Sequence, residues 1–166
     1  MTAEATMDEA PVATEETGSA QEAAARSTVK YYAAWSFGAG LVAIPIVELM
    51  LIVGVQIQML RKLSDIYGVK CSEHAVRNVL MALLGGLAAE TIGAGIAMPI
   101  ARAIPGIGSL VGLIVMPAFA VASTVAVGEV FVQHFEKGGT FLDFKPSSVR
   151  DKFSRAYDAA RAAARA

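Results

Sequence analysis

The sequence predicts an all-α protein: two apolar helical hairpins, built from four long helices, followed by a C-terminal amphipathic helix. Three observations predict it. Tyr31 to Val47 is a run of 17 residues with no charged side chain, broken by Pro45. Ala103 to Gly128 is a second such run, of 26 residues. Near the C-terminus, Val149, Phe153, Ala156, Tyr157, Ala160 and Ala164 recur at helical spacing while the arginines fall mostly elsewhere. Composition agrees. Hydrophobic residues make up 55% of the 166-residue chain and charged residues 17%, against about 25% charged in ordinary globular domains. A small protein has much surface to cover with polar groups, so the apolar excess predicts contact with a lipid bilayer or burial in a homo-oligomer.

Each element follows from local chemistry. Residues 1–26 carry six acids and one base and no aromatic residue. Such a stretch buries too little apolar surface to offset chain entropy, so a disordered acidic tail is expected there. A hydrophobic four-helix domain is expected over 27–144. Its first helix runs from Thr28 to about Ile44, because Pro45 removes a donor and restricts the residue before it. The second covers Ile46 to Tyr67, with Gly68 as its C-cap. The third opens at Ser72 or Glu73 and runs to about Ala103. "IPGIGS" at 104–109 is a turn. The fourth runs from about Ser109 to Lys137, kinked at Pro117. Its charge-free run exceeds the roughly 20 apolar residues that cross a bilayer. A basic C-terminal helix is expected over 145–166.

The formal net charge of −1 conceals an asymmetry: residues 1–26 net −5, 145–166 net +4, and the middle nets zero. Within the middle, Lys30, Arg61, Lys62, Lys70, Arg77 and Lys137 gather at the end opposite the hairpin turns, which places that end and both termini on the cytoplasmic side. Glu48, Glu90 and Arg102 stand inside the apolar zone. Glu48 and Arg102 are expected to approach each other near the turns, since opposite charges in a poor solvent seek partners. Gly86, Gly93, Gly108 and Gly112 thin the helices and are candidate packing positions.

Enzymatic chemistry is not predicted. There are two histidines and one cysteine, Cys71. No HExxH or CxxC offers a metal-ligand set. No GxSxG elbow and no GxxxxGK[ST] loop occurs. No cofactor is expected, and no nucleic acid, because the basic tail carries only Phe153 and Tyr157 as aromatics. The N-terminus has no basic patch and apolar core, so no cleaved export signal is expected. "HFEKGGTFLDF" (134–144) gathers polar residues but reads as a helix terminator with an aromatic latch. His134 ends the helix, Gly138 and Gly139 stop it, and Phe141, Asp143 and Phe144 clip the chain back.

"YYAAWSFGAGLVAIPIVELMLIVGVQIQMLRKLSDIYGV" (31–69), "IPGIGSLVG" (104–112) and "GEVFVQHFEKGGTFLDF" (128–144) together resemble the bacterial domain-of-unknown-function 697 family. The resemblance covers roughly 28–145. It implies a hydrophobic helical protein of the bacterial inner membrane, and a GTPase partner acting in trans, since this chain has no GTPase domain. It carries over no catalytic residue. The family's turn often reads Pro-x-Pro; here only Pro45 is kept, and Glu48 stands where an acidic residue is usual. The function expected is therefore that of a non-enzymatic membrane scaffold or adaptor. The alternatives are a soluble oligomer that inserts conditionally, and an oligomeric channel using Glu90, Gln56 and Glu129.

Overall fold

A computed structural model of the chain describes residues 10–42, 45–93 and 107–163. Among these residues there are five helices and no strand: α1 (Ala10–Ala39), α2 (Pro45–Tyr67), α3 (Glu73–Gly93), α4 (Ile107–Glu136) and α5 (Pro146–Ala163). The helix boundaries follow their capping chemistry. Gly68 and Gly138 take positive φ, 65° and 76°. Each lets the next amide reach back over the last turn: Val69 N–H donates to Ser64 O at 2.8 Å, and Gly139 N–H to His134 O at 3.0 Å. Ser72 O accepts the Val76 amide at 3.0 Å and opens α3. Pro146 begins α5, where its missing N–H costs nothing.

The first helix departs from expectation at both ends. Residues 10–26, expected as a disordered tail, form the first half of α1. The physical reason lies in packing that composition does not reveal. The small and apolar residues Ala25, Val29, Ala33, Ser36 and Gly40 fall on one face, all buried. That face begins within the acidic stretch, so the helix is extended rather than nucleated afresh. Gln21 Nε2 donates to Ile66 O on α2 at 2.6 Å. Arg26 reaches Glu22 at 2.7 Å and Glu129 on α4 at 2.8 Å. At its other end α1 stops at Ala39, before the residue ahead of Pro45, and a turn continues to Val42.

The central element is α4. It packs against α1, α5 and α2, and only slightly against α3. Its antiparallel course along α1 is marked by three contacts. Val29 seats on Gly128, where an added Cβ would lie 2.5 Å from a Val29 methyl. Ser36 Oγ and Thr124 Oγ1 hydrogen-bond at 2.7 Å. Gly40 lies on Pro117 so closely that its Cβ would come within 2.7 Å of the Pro117 Cα. Small residues on both helices allow this approach. The α5 helix returns along the far side of α4, where Tyr157 meets Phe119 edge-on at 5.9 Å. It also covers part of α3, but makes no substantial contact with α1 or α2.

Candidate lipid-contact surface

The core and the surface divide the apolar residues unevenly. Among the described residues one helix is long and apolar enough to cross a membrane, α4 over Met116–Glu136, yet 67% of that stretch is buried in the bundle. Most of the exposed large apolar residues among the described ones lie instead on and between α1 and α2, with Met81 of α3 and Leu142 of the 134–144 segment standing apart. Tyr31, Trp35, Phe37, Leu41, Val47, Leu49, Met50 and Leu51 are all exposed, Trp35 by 60% and Met50 by 67%. Tyr31, Tyr32, Trp35, Met50, Leu51, Gly54, Val55 and Gln58 line one open groove of about 520 Å³ between the two helices. Tyr31 packs edge-on against Tyr32 and Trp35, at 5.3 and 6.3 Å between ring centres.

Periodicity explains the arrangement. In α1 the small residues face α4, so the aromatics between them face outward. In α2, Ile52, Gln56, Met59, Leu60 and Leu63 are buried and hold the helix on α1 and α4. Its remaining face, Val47 to Gln58, carries no exposed charge. Covering a side chain of this class fully is worth about 1.5–3 kcal/mol, so covering eight half-exposed ones would contribute several.

Beneath this surface runs a polar seam. Gln56 Nε2 donates to Ser123 Oγ at 3.1 Å and to Thr124 Oγ1 at 3.2 Å, and Thr124 joins Ser36. All four residues are fully buried. Gln56 Oε1 has no partner. The seam fixes the register of α1, α2 and α4 at one level, because a slip would leave several buried polar groups unpaired.

At the charged end the helices are tied by exposed pairs. Arg26 joins α1 to Glu129 of α4, and Arg61 joins α2 to Glu73 of α3 at 2.6 Å. Each such pair contributes roughly 0–1 kcal/mol. Tyr67 stands among them, its hydroxyl pushed up to about 12 by burial and by the neighbouring Glu136 carboxylate.

The 134–144 segment is a closed turn. The Thr140 amide and hydroxyl both donate to Asp143 Oδ1, at 2.6 and 2.5 Å. These bonds hold the Asp143 carboxyl below its usual range. His134 Nε2 lies 2.8 Å from Thr140 O, so that nitrogen carries the proton and donates. A Cβ on Gly139 would run into the His134 ring. Phe144 stacks on Phe131 at 4.6 Å and 11°, and Phe141 meets Phe131 and Phe135 at 5.4 and 5.3 Å. His134 Nε2, the Thr140 amide and hydroxyl, and Asp143 Oδ1 are thus bonded within the segment.

The other candidate residues scatter. Glu48 is buried, 4% exposed, and engaged with a neighbour. Arg102 lies outside the described residues, as do the surroundings of Glu90, Gly93, Gly108 and Gly112, although the last four belong to α3 and α4. Gly86 faces Arg150 of α5, whose Nη2 would lie 3.1 Å from an added Cβ. Among the described glycines, those that an added Cβ would drive hardest into another helix are Gly40 and Gly128. Gly128 continues the four-residue spacing of Ala120 and Thr124 and could be found that way. Gly40 carries no such signal. Of the residues named for a channel, Gln56 belongs to the seam and Glu129 pairs with Arg26.

Comparisons with known proteins now bear on this geometry. A curated relative, magnetosome membrane protein 22 of Magnetospirillum gryphiswaldense, is 31% identical over 140 residues, covering 84% of this chain and 72% of the relative. No solved structure matches the chain. The family model described as domain of unknown function (DUF697) matches residues 10–161, so it includes the acidic half of α1 and most of α5. The chain is a member of the DUF697 family.

Proposed function

We propose that this protein is a membrane-associated, non-enzymatic helical protein that acts as a scaffold or adaptor. The observation that carries this reading is the uncharged, exposed aromatic and aliphatic surface of α1 and α2. A relative named as a membrane protein supports it. His134, Thr140 and Asp143 bond to one another and to the backbone of a closed turn, which supports a structural role for them. In this reading the bilayer is that of the bacterial inner membrane. The charged end, with α1's acidic half and the bases around Arg61 and Lys137, faces the cytoplasm and a protein partner, a GTPase in trans. Gly86, Gly93, Gly108 and Gly112 serve helix packing within the chain in this reading, and self-association as a homo-oligomer is a separate part of it.

Fractionation tests the central claim. The expected result is recovery with membranes after a carbonate wash. Release into the soluble fraction as a monomer would overturn it. A second reading, a soluble oligomer that inserts conditionally, is favoured by the burial of α4 within the bundle. A monodisperse oligomer purified without detergent, whose interface protects Trp35 from an aqueous quencher, would select it. Affinity capture through the charged end, with and without guanine nucleotide, tests the GTPase partner.

A further inference from the structure

The exposed charges of the bundle begin at different levels on its two sides. On α1 the last exposed charge before the apolar face is Lys30, next to Val29, which seats on Gly128 of α4. From there to the end of α1 at Ala39 the helix rises ~14 Å. On α2 the first charges after the apolar face are also basic, Arg61 and Lys62. On the far side of α4 the charges run much further. Tyr157 of α5 meets Phe119, and Lys152, Arg155 and Asp158 around it are exposed. Gly128 and Phe119 are ~14 Å apart along α4. Over that length, among the described residues, one edge of the bundle has no exposed charge, its Glu48 being buried, while the opposite edge exposes both signs.

This asymmetry decides how such a molecule meets a bilayer. If α4 crossed the membrane with the bundle axis upright and Lys30 at the headgroups, Arg155 and Asp158 would sit near the bilayer midplane. Charges at that depth are costly and seek partners or water. The apolar face is ~14 Å long, so a tilted bundle keeps it within one leaflet of a hydrocarbon core of about 30 Å. We infer that the folded bundle enters a membrane with its axis tilted, the α1–α2 edge first, and no deeper than one leaflet. The α1–α2 edge lies among acyl chains, Lys30 and Lys62 meet anionic headgroups, and α5 stays in water. The order along α1 fits that occupant: a cation, then Tyr31 and Tyr32, then Trp35, then Phe37 and Leu41. Cations at headgroups, amphipathic rings at the interface and aliphatic groups beneath is the order a leaflet imposes. A second copy of the chain would meet a face without charges to set its register.

The inference rests on the membrane reading above, and the test separates the two. Trp35 is the chain's single tryptophan. The full chain is synthesised in the presence of vesicles of phosphatidylcholine and phosphatidylglycerol, some carrying bromine at defined acyl depths. Trp35 should be quenched best by mid-chain bromine. With the tryptophan moved by Trp35→Phe and Met50→Trp, quenching should shift toward the chain end. In a Cys71→Ser background, Arg155→Cys should react with an impermeant maleimide as fast as it does in detergent. Circular dichroism controls for folding of each variant. Vesicle-bound protein with no lipid quenching at either position, or with position 155 shielded, overturns edge-first insertion and leaves membrane association standing. Protein that does not stay with vesicles overturns both.

Discussion

The most apolar helix and the helices that expose most apolar surface are different parts of this molecule. The α4 helix holds the longest uncharged run, but α1, α2 and α5 cover it. The α1–α2 pair is interrupted by Lys30, Glu48 and Gln56, yet it turns Trp35, Phe37 and Met50 outward. Hydropathy along a chain identifies what avoids water, whereas packing decides which of those residues meet another solvent. A helix that is hydrophobic all round is a core helix if neighbours cover it and a membrane span if they do not.

Emptying one region and then the other separates their roles. Phe131→Ala removes a fully buried ring that stacks on Phe144 and touches Phe135 and Phe141. It should cost about 3–5 kcal/mol in denaturant unfolding. Trp35→Ala should change that stability little and instead weaken retention on vesicles. Equal losses of stability in the two variants would mean that Trp35 is core, and the comparison would fail.

A smaller effect comes from two glycines on the same pair of helices. Gly40→Ala drives a methyl into the Pro117 backbone and should cost about 1–3 kcal/mol. Gly54→Ala meets nothing within 4 Å and should be neutral or stabilise α2 by up to about 1 kcal/mol. Thermal unfolding followed by circular dichroism reads both. A tolerated Gly40→Ala would show that α1 does not cross α4 at Pro117.

Lys30→Glu sharpens the surface side. It should leave unfolding unchanged and lower retention on phosphatidylglycerol vesicles more than on neutral ones, with added salt erasing the difference. A loss that is the same on neutral vesicles would argue against a headgroup contact.

The smallest effect concerns the turn that closes α4. Its Asp143 carboxyl is held below the usual range by Thr140. A depressed carboxyl contributes stability that is present above its unfolded value, about 3.9, and lost as pH falls through the lower folded value. Asp143→Asn should therefore lower the melting temperature slightly at neutral pH, and the gap should close on acidification below about pH 4. A gap that persists in acid would assign the effect to shape rather than charge.

Much of this architecture is legible from residues alone. Pro45 divides α1 from α2, Gly68 and Gly138 close α2 and α4, and Pro146 opens α5, because each acts through its own backbone within one turn. Val149, Phe153 and Tyr157 mark the packed face of α5 in the same local way. The first half of α1 was not legible. Ala25 and Gln21 look like parts of a solvated tail until α4 and α2 supply their partners. Gly40 is equally silent until Pro117 lies against it.

By itself the sequence determined that the chain is helical, where most helices end, and that its middle is too apolar to be covered by water alone. These properties depend on contacts within a few residues and on totals that do not require a fold. Tertiary packing set the rest: α4 is enclosed, α1–α2 holds an uncovered face, and exposed charges run further along the α5 side of α4 than along the α1–α2 side. Enclosure and sidedness are relations between helices distant in sequence, and no periodicity within one helix records which neighbour will cover it.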